Sequence, residues 1–172
     1  MKLREKLTLR DIGIWSHYVG DASQPLHVSV HFNGWGKYPN PNGYTTSTAL
    51  HAHFEGEFEK RYLDRAAVAK AVIPYQDCGC GIEARVNTLL LASQGMVVPL
   101  YELEARGGFK AHNSEGVEFT TQRLAAGASA LRDMIVDAWR NSDEVGVGYP
   151  MITVRDIESG HVRLRREMFG AD

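Results

Sequence analysis

Histidines paired with carboxylates four residues on carry the most chemistry in this chain. His17-Tyr-Val-Gly-Asp21 is followed by Gln24-Pro25-Leu26-His27 and, after a polar gap, by His51-Ala-His53-Phe54-Glu55, so that five of the seven histidines lie between positions 17 and 53. Helix residues four apart share a face, with Cβ atoms about 5–6 Å apart. His17 with Asp21, and His51 with Glu55, can therefore each converge on one ion. Imidazole with carboxylate suits zinc, and manganese or iron is compatible with the same ligand types. Pro25 disfavours helical backbone at Gln24, so the Ala-Ser-Gln-Pro run stops the helix and turns His27 back toward its end. One such pair is ordinarily a surface ion pair; two flanking a Pro-Leu-His turn point to a metal site.

The elements that must position these ligands read as mainly helical. A first helix, 3 to about 22, carries Leu7, Ile12, Ile14, Trp15, Tyr18 and Val19 as an apolar stripe, with His17 and Asp21 at its C-terminal end. Gly13 and Gly20 each weaken it by about 1 kcal/mol relative to Ala, which close packing against a helix or a metal would justify. Residues 28 to 45, with Asn33-Gly34 and Pro39-Asn-Pro41-Asn42-Gly43, form a loop. Its aromatics Phe32, Trp35, Tyr38 and Tyr44 either stack an unpaired base, worth about 1–3 kcal/mol per base, or anchor the loop to the core. Thr46 or Ser47 caps a second helix to about 63, extending toward 72, with Leu50, Phe54, Phe58 and Tyr62 as its apolar ridge. His51 and Glu55 share an adjoining face and His53 lies off it. Pro74 ends the segment. A third helical region spans about 82 to 105, with Gly95 and Pro99 marking a kink or break, and a fourth about 120 to 141. The latter's stripe is Leu124, Ala128, Leu131, Ile135, Ala138 and Trp139. The stretch 152 to 166 reads as a short β-hairpin around Glu158-Ser-Gly160-His161.

The run His17-Tyr-Val-Gly-Asp21-Ala-Ser-Gln-Pro25-Leu-His27, followed by His51-x-x-x-Glu55, resembles the metal-binding half of the zinc-dependent phospholipase C and fungal single-strand-specific nuclease superfamily. The long gap between His27 and His51 is similar to the nuclease branch. The resemblance implies three zinc ions. His17 and Asp21 would belong to a close metal pair, with Asp21 as the bridging, catalytic ligand, while His27, His51 and Glu55 would hold the third ion. It implies phosphodiester hydrolysis by a metal-activated water. The family also uses an N-terminal Trp and further His, Asp and His ligands upstream. Here sixteen residues precede His17, none of them His, and Trp15 is internal. The expectation is that the chain is the C-terminal portion of a longer member, or a shortened relative that draws the missing ligands from a homo-oligomer.

At 172 residues and 44% hydrophobic, the chain can form one domain burying roughly 70% of its unfolded surface. Its formal charge of −2 gives no global attraction to nucleic acid, which metals that bind phosphate directly make unnecessary. Arg155, Arg163, Arg165 and Arg166 form the dense basic cluster, read as a solvated face rather than a phosphate patch. No apolar run approaches the roughly 20 residues of a membrane span. Without a signal-peptide core at the start of the sequence, the expected location is cytoplasmic, although members of the family are commonly secreted or periplasmic. Cys78-Gly-Cys80 reads as two free thiols or a labile disulfide. The absence of a Lys-Ser/Thr ending after the Gly-rich stretch, and of a GxSxG elbow, excludes P-loop and serine-hydrolase chemistry.

The expectation is thus an all-α, single-domain helical bundle over 1–172, a zinc-dependent phosphodiesterase resembling single-strand-specific endonucleases. The alternatives are a catalytically incomplete, metal-stabilised helical domain and a phospholipase C-like enzyme.

Overall fold

Helix α1 (Leu3–Ser23) stops where the sequence says it must. Gln24 is extended (φ −91°, ψ 118°), and Pro25 opens a 3-10 turn, Pro25–Val28, at the position where its missing N–H costs nothing. The computed structural model describes residues 3–169 and is mostly helical, with one two-stranded sheet. The chain divides into two compact units, Met1–Arg132 and Asp133–Asp172.

In the first unit, α2 (Leu50–Ala52), a π-helical stretch (His53–Phe58) and α3 (Glu59–Tyr62) follow one another without a break. Asp64 then caps α4 (Arg65–Ala71), its side chain accepting from the Ala66 N–H at 3.0 Å. The break at Gly95 separates α5 (Ile82–Gln94) from α6 (Val97–Ala105), and Pro99 sits harmlessly in the first turn of α6. Helix α7 (Ser114–Asn141) starts six residues before the expected 120 because Asn113 caps it, accepting from the Glu115 and Gly116 N–H groups. Gly116 permits the close approach of α7 to the preceding turn: a Cβ there would overlap the Gly108 carbonyl oxygen and press on the Phe58 ring at 2.9 Å.

Leu26, Tyr44, Leu50, Phe54, Phe58, Leu100, Tyr101 and Phe109 form the core of this unit. The expected ridge of the second helix is therefore the buried one. The first helix differs from expectation. Val19 is buried and Ile12 and Trp15 are half-buried, but Leu7, Ile14 and Tyr18 are 41%, 52% and 66% exposed, so only part of its stripe is covered. Nor does close packing explain its glycines, since a Cβ at Gly13 or Gly20 would meet nothing within 4 Å. In α7 the buried side chains are Thr120, Thr121, Ala125, Ser129, Asp133 and Met134, one step round the helix from the predicted stripe. Leu124 and Trp139 are exposed. The hydroxyls of Thr120 and Ser129 make this face tolerable by donating to carbonyls one turn back, Gly116 and Ala125, each at 2.7 Å.

The second unit holds a 3-10 turn, Ser142–Glu144, and the hairpin of β1 (Gly146–Val147) with β2 (Ile152–Thr153). Helix α8 (Val154–Glu158) follows. The hairpin thus lies upstream of the expected one. Thr153 is the N-cap of this helix in a Thr-x-x-Asp start signal: the Asp156 N–H donates to Thr153 Oγ1 at 3.1 Å while that hydroxyl donates to the Asp156 carboxylate at 2.8 Å. This starts a helix where a strand was expected to continue. Arg155, counted in the basic cluster, is engaged by Asp143 and Glu144. Cys78 and Cys80 are joined as a disulfide in the loop before α5. No helix among the described residues is long and apolar enough to cross a membrane.

Candidate metal centre

Three segments deliver the ligands. The last turns of α1 carry His17 and Asp21, the 3-10 turn carries His27, and the helical segment over residues 50–62 carries His51 and Glu55. His27 Nε2 and His51 Nε2 are 2.9 Å apart; Glu55 places one oxygen 3.0 Å from the first and its other oxygen 3.0 Å from the second. Tetrahedral zinc with bonds of about 2.0–2.1 Å spaces its ligand atoms about 3.3 Å apart, so this triangle needs only slight opening to hold such an ion. His27, His51 and Glu55 are the described residues whose ligand atoms could hold a metal ion.

The hydrogen bonds around the triangle fix which ring nitrogens face it. His51 Nδ1 lies 2.9 Å from the Phe32 carbonyl, which can only accept, so Nδ1 carries a proton and Nε2 is the nitrogen turned inward. His27 Nδ1 lies 3.1 Å from Asp21 Oδ1, and a carboxylate partner selects the same tautomer. Two ring nitrogens and a carboxylate converge on one point, and as neutral imidazoles in that tautomer both rings could offer a lone pair to a cation there. Gln24 steadies the third ligand. Its carbonyl oxygen takes the Leu26 N–H, which turns its amide nitrogen toward Glu55 Oε1 at 2.8 Å. The ligand side chains retain 22–38% of their exposure, leaving room for water to complete the shell.

Asp21 stands between two histidines. Its Oδ1 serves His27, and its Oδ2 stands 3.4 Å from His17 Nε2, whose side chain is 71% exposed. In this geometry Asp21 is placed to orient the ring of His27, one of the candidate ligands, with His17 at the outer edge. Changing Asp21 to Asn removes the anionic acceptor of the His27 N–H while keeping its shape, and should weaken metal binding by about 10–100-fold. Competition against a chromophoric chelator measures this, and an unchanged affinity would refute the orienting role.

The other histidines are committed elsewhere. His53 donates from Nε2 to the Phe109 carbonyl at 2.8 Å and from Nδ1 to Glu57 at 2.9 Å. The Phe109 carbonyl first, and Glu57 second, raise its pKa and favour the imidazolium, which cannot ligate. His31 donates to the Trp35 carbonyl at 2.8 Å and stacks on the Trp35 ring at 3.8 Å. Of the loop aromatics, Tyr44 is a core residue at 6% exposure and offers no face to a base, and Trp35 leans on Tyr44 and Tyr101. Phe32 and Tyr38 are 55% and 51% exposed. Tyr101, whose pKa burial pushes up to about 12, pins the loop by donating to the His31 carbonyl at 2.6 Å.

A cleft of about 410 Å³ opens beside the triangle, sharing His27 and Glu55 with it and bounded also by Gln24, Glu59 and Arg123. Gln24, the Phe32 carbonyl and Arg123 are parts of the site that the sequence reading did not assign. For Gln24 the signal was its place directly before Pro-Leu-His; a backbone carbonyl and an arginine almost a hundred residues downstream gave none. Comparison with family models, with curated proteins and with solved structures gives no match for this chain.

Proposed function

We propose that this chain is a zinc-dependent phosphodiesterase that hydrolyses single-stranded nucleic acid with a metal-activated water. One observation supports it above the rest: His27 and His51 are each tied off at Nδ1, so that both Nε2 atoms and the Glu55 carboxylate face one point. A zinc ion bound there supplies a hydroxide near neutral pH and positive charge for the phosphoryl oxygens. The chain's own contribution is orientation. Asp21 and the Phe32 carbonyl set the two rings, and Gln24 sets Glu55. Phe32, whose carbonyl holds His51, is also 55% exposed, and in this reading its ring is a candidate stacking surface for an unpaired base.

The test combines elemental mass spectrometry on protein purified without added zinc with hydrolysis of a single-stranded DNA oligonucleotide. At least one zinc per chain and cleavage abolished by chelation are expected. Hydrolysis of phosphatidylcholine with none of DNA would move the reading to a phospholipase. Bound metal with hydrolysis of neither would favour a metal-stabilised helical domain. That second reading draws on the way the three ligands tie the turn after α1 to a helix 24 residues away.

A further inference from the structure

Among the described residues, Arg123 is a cation without a counter-ion from the protein. It projects from α7 into the cleft beside the metal triangle, half-buried, and among the described residues it makes no ion pair, hydrogen bond or ring contact. The other charged groups facing that cleft are His17, Asp21, His27, Glu55 and Glu59. Asp21 is occupied by His17 and His27, and Glu55 by His27, His51 and Gln24. Glu59 lines the same space without reaching ion-pair distance of the guanidinium. Phe54 and Leu124 supply apolar wall. Burial lowers the Arg123 pKa, the direction expected of a charge removed from water with nothing in return.

A guanidinium left partly desolvated and without a partner from the protein is unfavourable, and the imbalance is removed when an anion enters. The planar fork of arginine matches two oxygens of a phosphate with parallel N–H···O bonds. A metal would attract such an anion to the same cleft from the side of His27 and Glu55. We propose that Arg123 is the phosphate-binding residue of this cleft, gripping the phosphoryl oxygens of a substrate presented to the metal triangle. The substrate assignment rests on the phosphodiesterase reading; the phosphate-binding assignment is tested without it.

The experiment is calorimetric titration of inorganic phosphate into full-length protein carrying its bound metal and freed of excess, for the wild type, Arg123→Gln and Arg123→Lys. Metal content and circular dichroism are measured on each. The wild type should bind phosphate, R123Q should weaken it about tenfold or more with metal content unchanged, and R123K, which keeps the charge but not the fork, should fall between. No phosphate binding by the wild type, or equal binding by R123Q, would overturn the proposal. Should R123Q fail to fold, phenylglyoxal labelling of the wild type, followed by peptide mass spectrometry, tests the same contact. Phosphate should protect Arg123, and unaltered labelling would overturn the assignment. Arg123-dependent phosphate binding without hydrolysis of any phosphodiester sinks the proposed reaction and supports this inference. Hydrolysis with kinetics that ignore R123Q does the reverse.

Discussion

Replacing His51 by alanine should remove about one metal ion per chain and lower the melting temperature by about 5–10 °C. The first effect follows from the triangle. Without His51, the ion loses one of three protein ligands, and Glu55 Oε2, 3.0 Å from the His51 ring, is left facing solvent. The second follows from linkage. A metal at a hundredfold excess over its dissociation constant stabilises the folded state by about 2.7 kcal/mol, and in a chain of this size each kcal/mol moves the melting temperature by roughly 2–4 °C. The variant carries its own control. Chelator should bring the wild type down to the melting temperature of H51A and leave H51A where it was. An unchanged metal count would end the assignment of His51 as a ligand, and a melting temperature equally low but still chelator-sensitive would mean that the ring acts through its bond to the Phe32 carbonyl instead.

How the site was legible in the sequence depended on how locally each part is encoded. His17 with Asp21, and His51 with Glu55, are one helical turn apart, and Pro25 ends a helix by its own sterics, so the segments that carry the ligands could be placed from neighbouring residues alone. What Asp21 does could not. Its contact with the His27 ring depends on how the 3-10 turn returns toward α1, which no local pattern encodes. The π-helical stretch His53–Phe58 was equally hidden, since such stretches are rare and carry no propensity signal of their own. The apolar positions of α1 read as buried because the pattern shows which face is apolar, not whether anything covers it. In α7, Thr120 and Ser129 lie off the expected apolar stripe and are nevertheless buried, their hydroxyls being satisfied within the helix. The second unit misled for a different reason: Thr153-x-x-Asp156 is a helix-start signal lying inside an alternating pattern, and the cap prevails.

Phe58→Ala should cost about 3–5 kcal/mol of stability, a large part of the 5–15 kcal/mol that holds a typical domain together. The ring is fully buried and packs edge-on against Phe109 and at a tilt against Tyr62, both with centroids at 5.3 Å. One edge faces the gap left by Gly116. Backbone approach of α7 fixes that wall, so the cavity cannot collapse readily and the cost should fall toward the upper end. The damage should also reach the metal. Phe58 closes the π-helical stretch that begins just after His51 and contains Glu55, and a helix free to shift would no longer hold two ligand atoms within 3.0 Å of their partners. Urea denaturation with and without zinc separates the two effects. The metal-free F58A protein should lose the cavity energy, and its zinc-dependent gain should be smaller than that of the wild type because part of the binding energy now goes into ordering the helix. A loss below about 1 kcal/mol would place Phe58 outside any well-packed core. A full loss with an undiminished zinc gain would show that the triangle is held by its own hydrogen bonds, through Asp21, Gln24 and the Phe32 carbonyl, independently of the core beneath it.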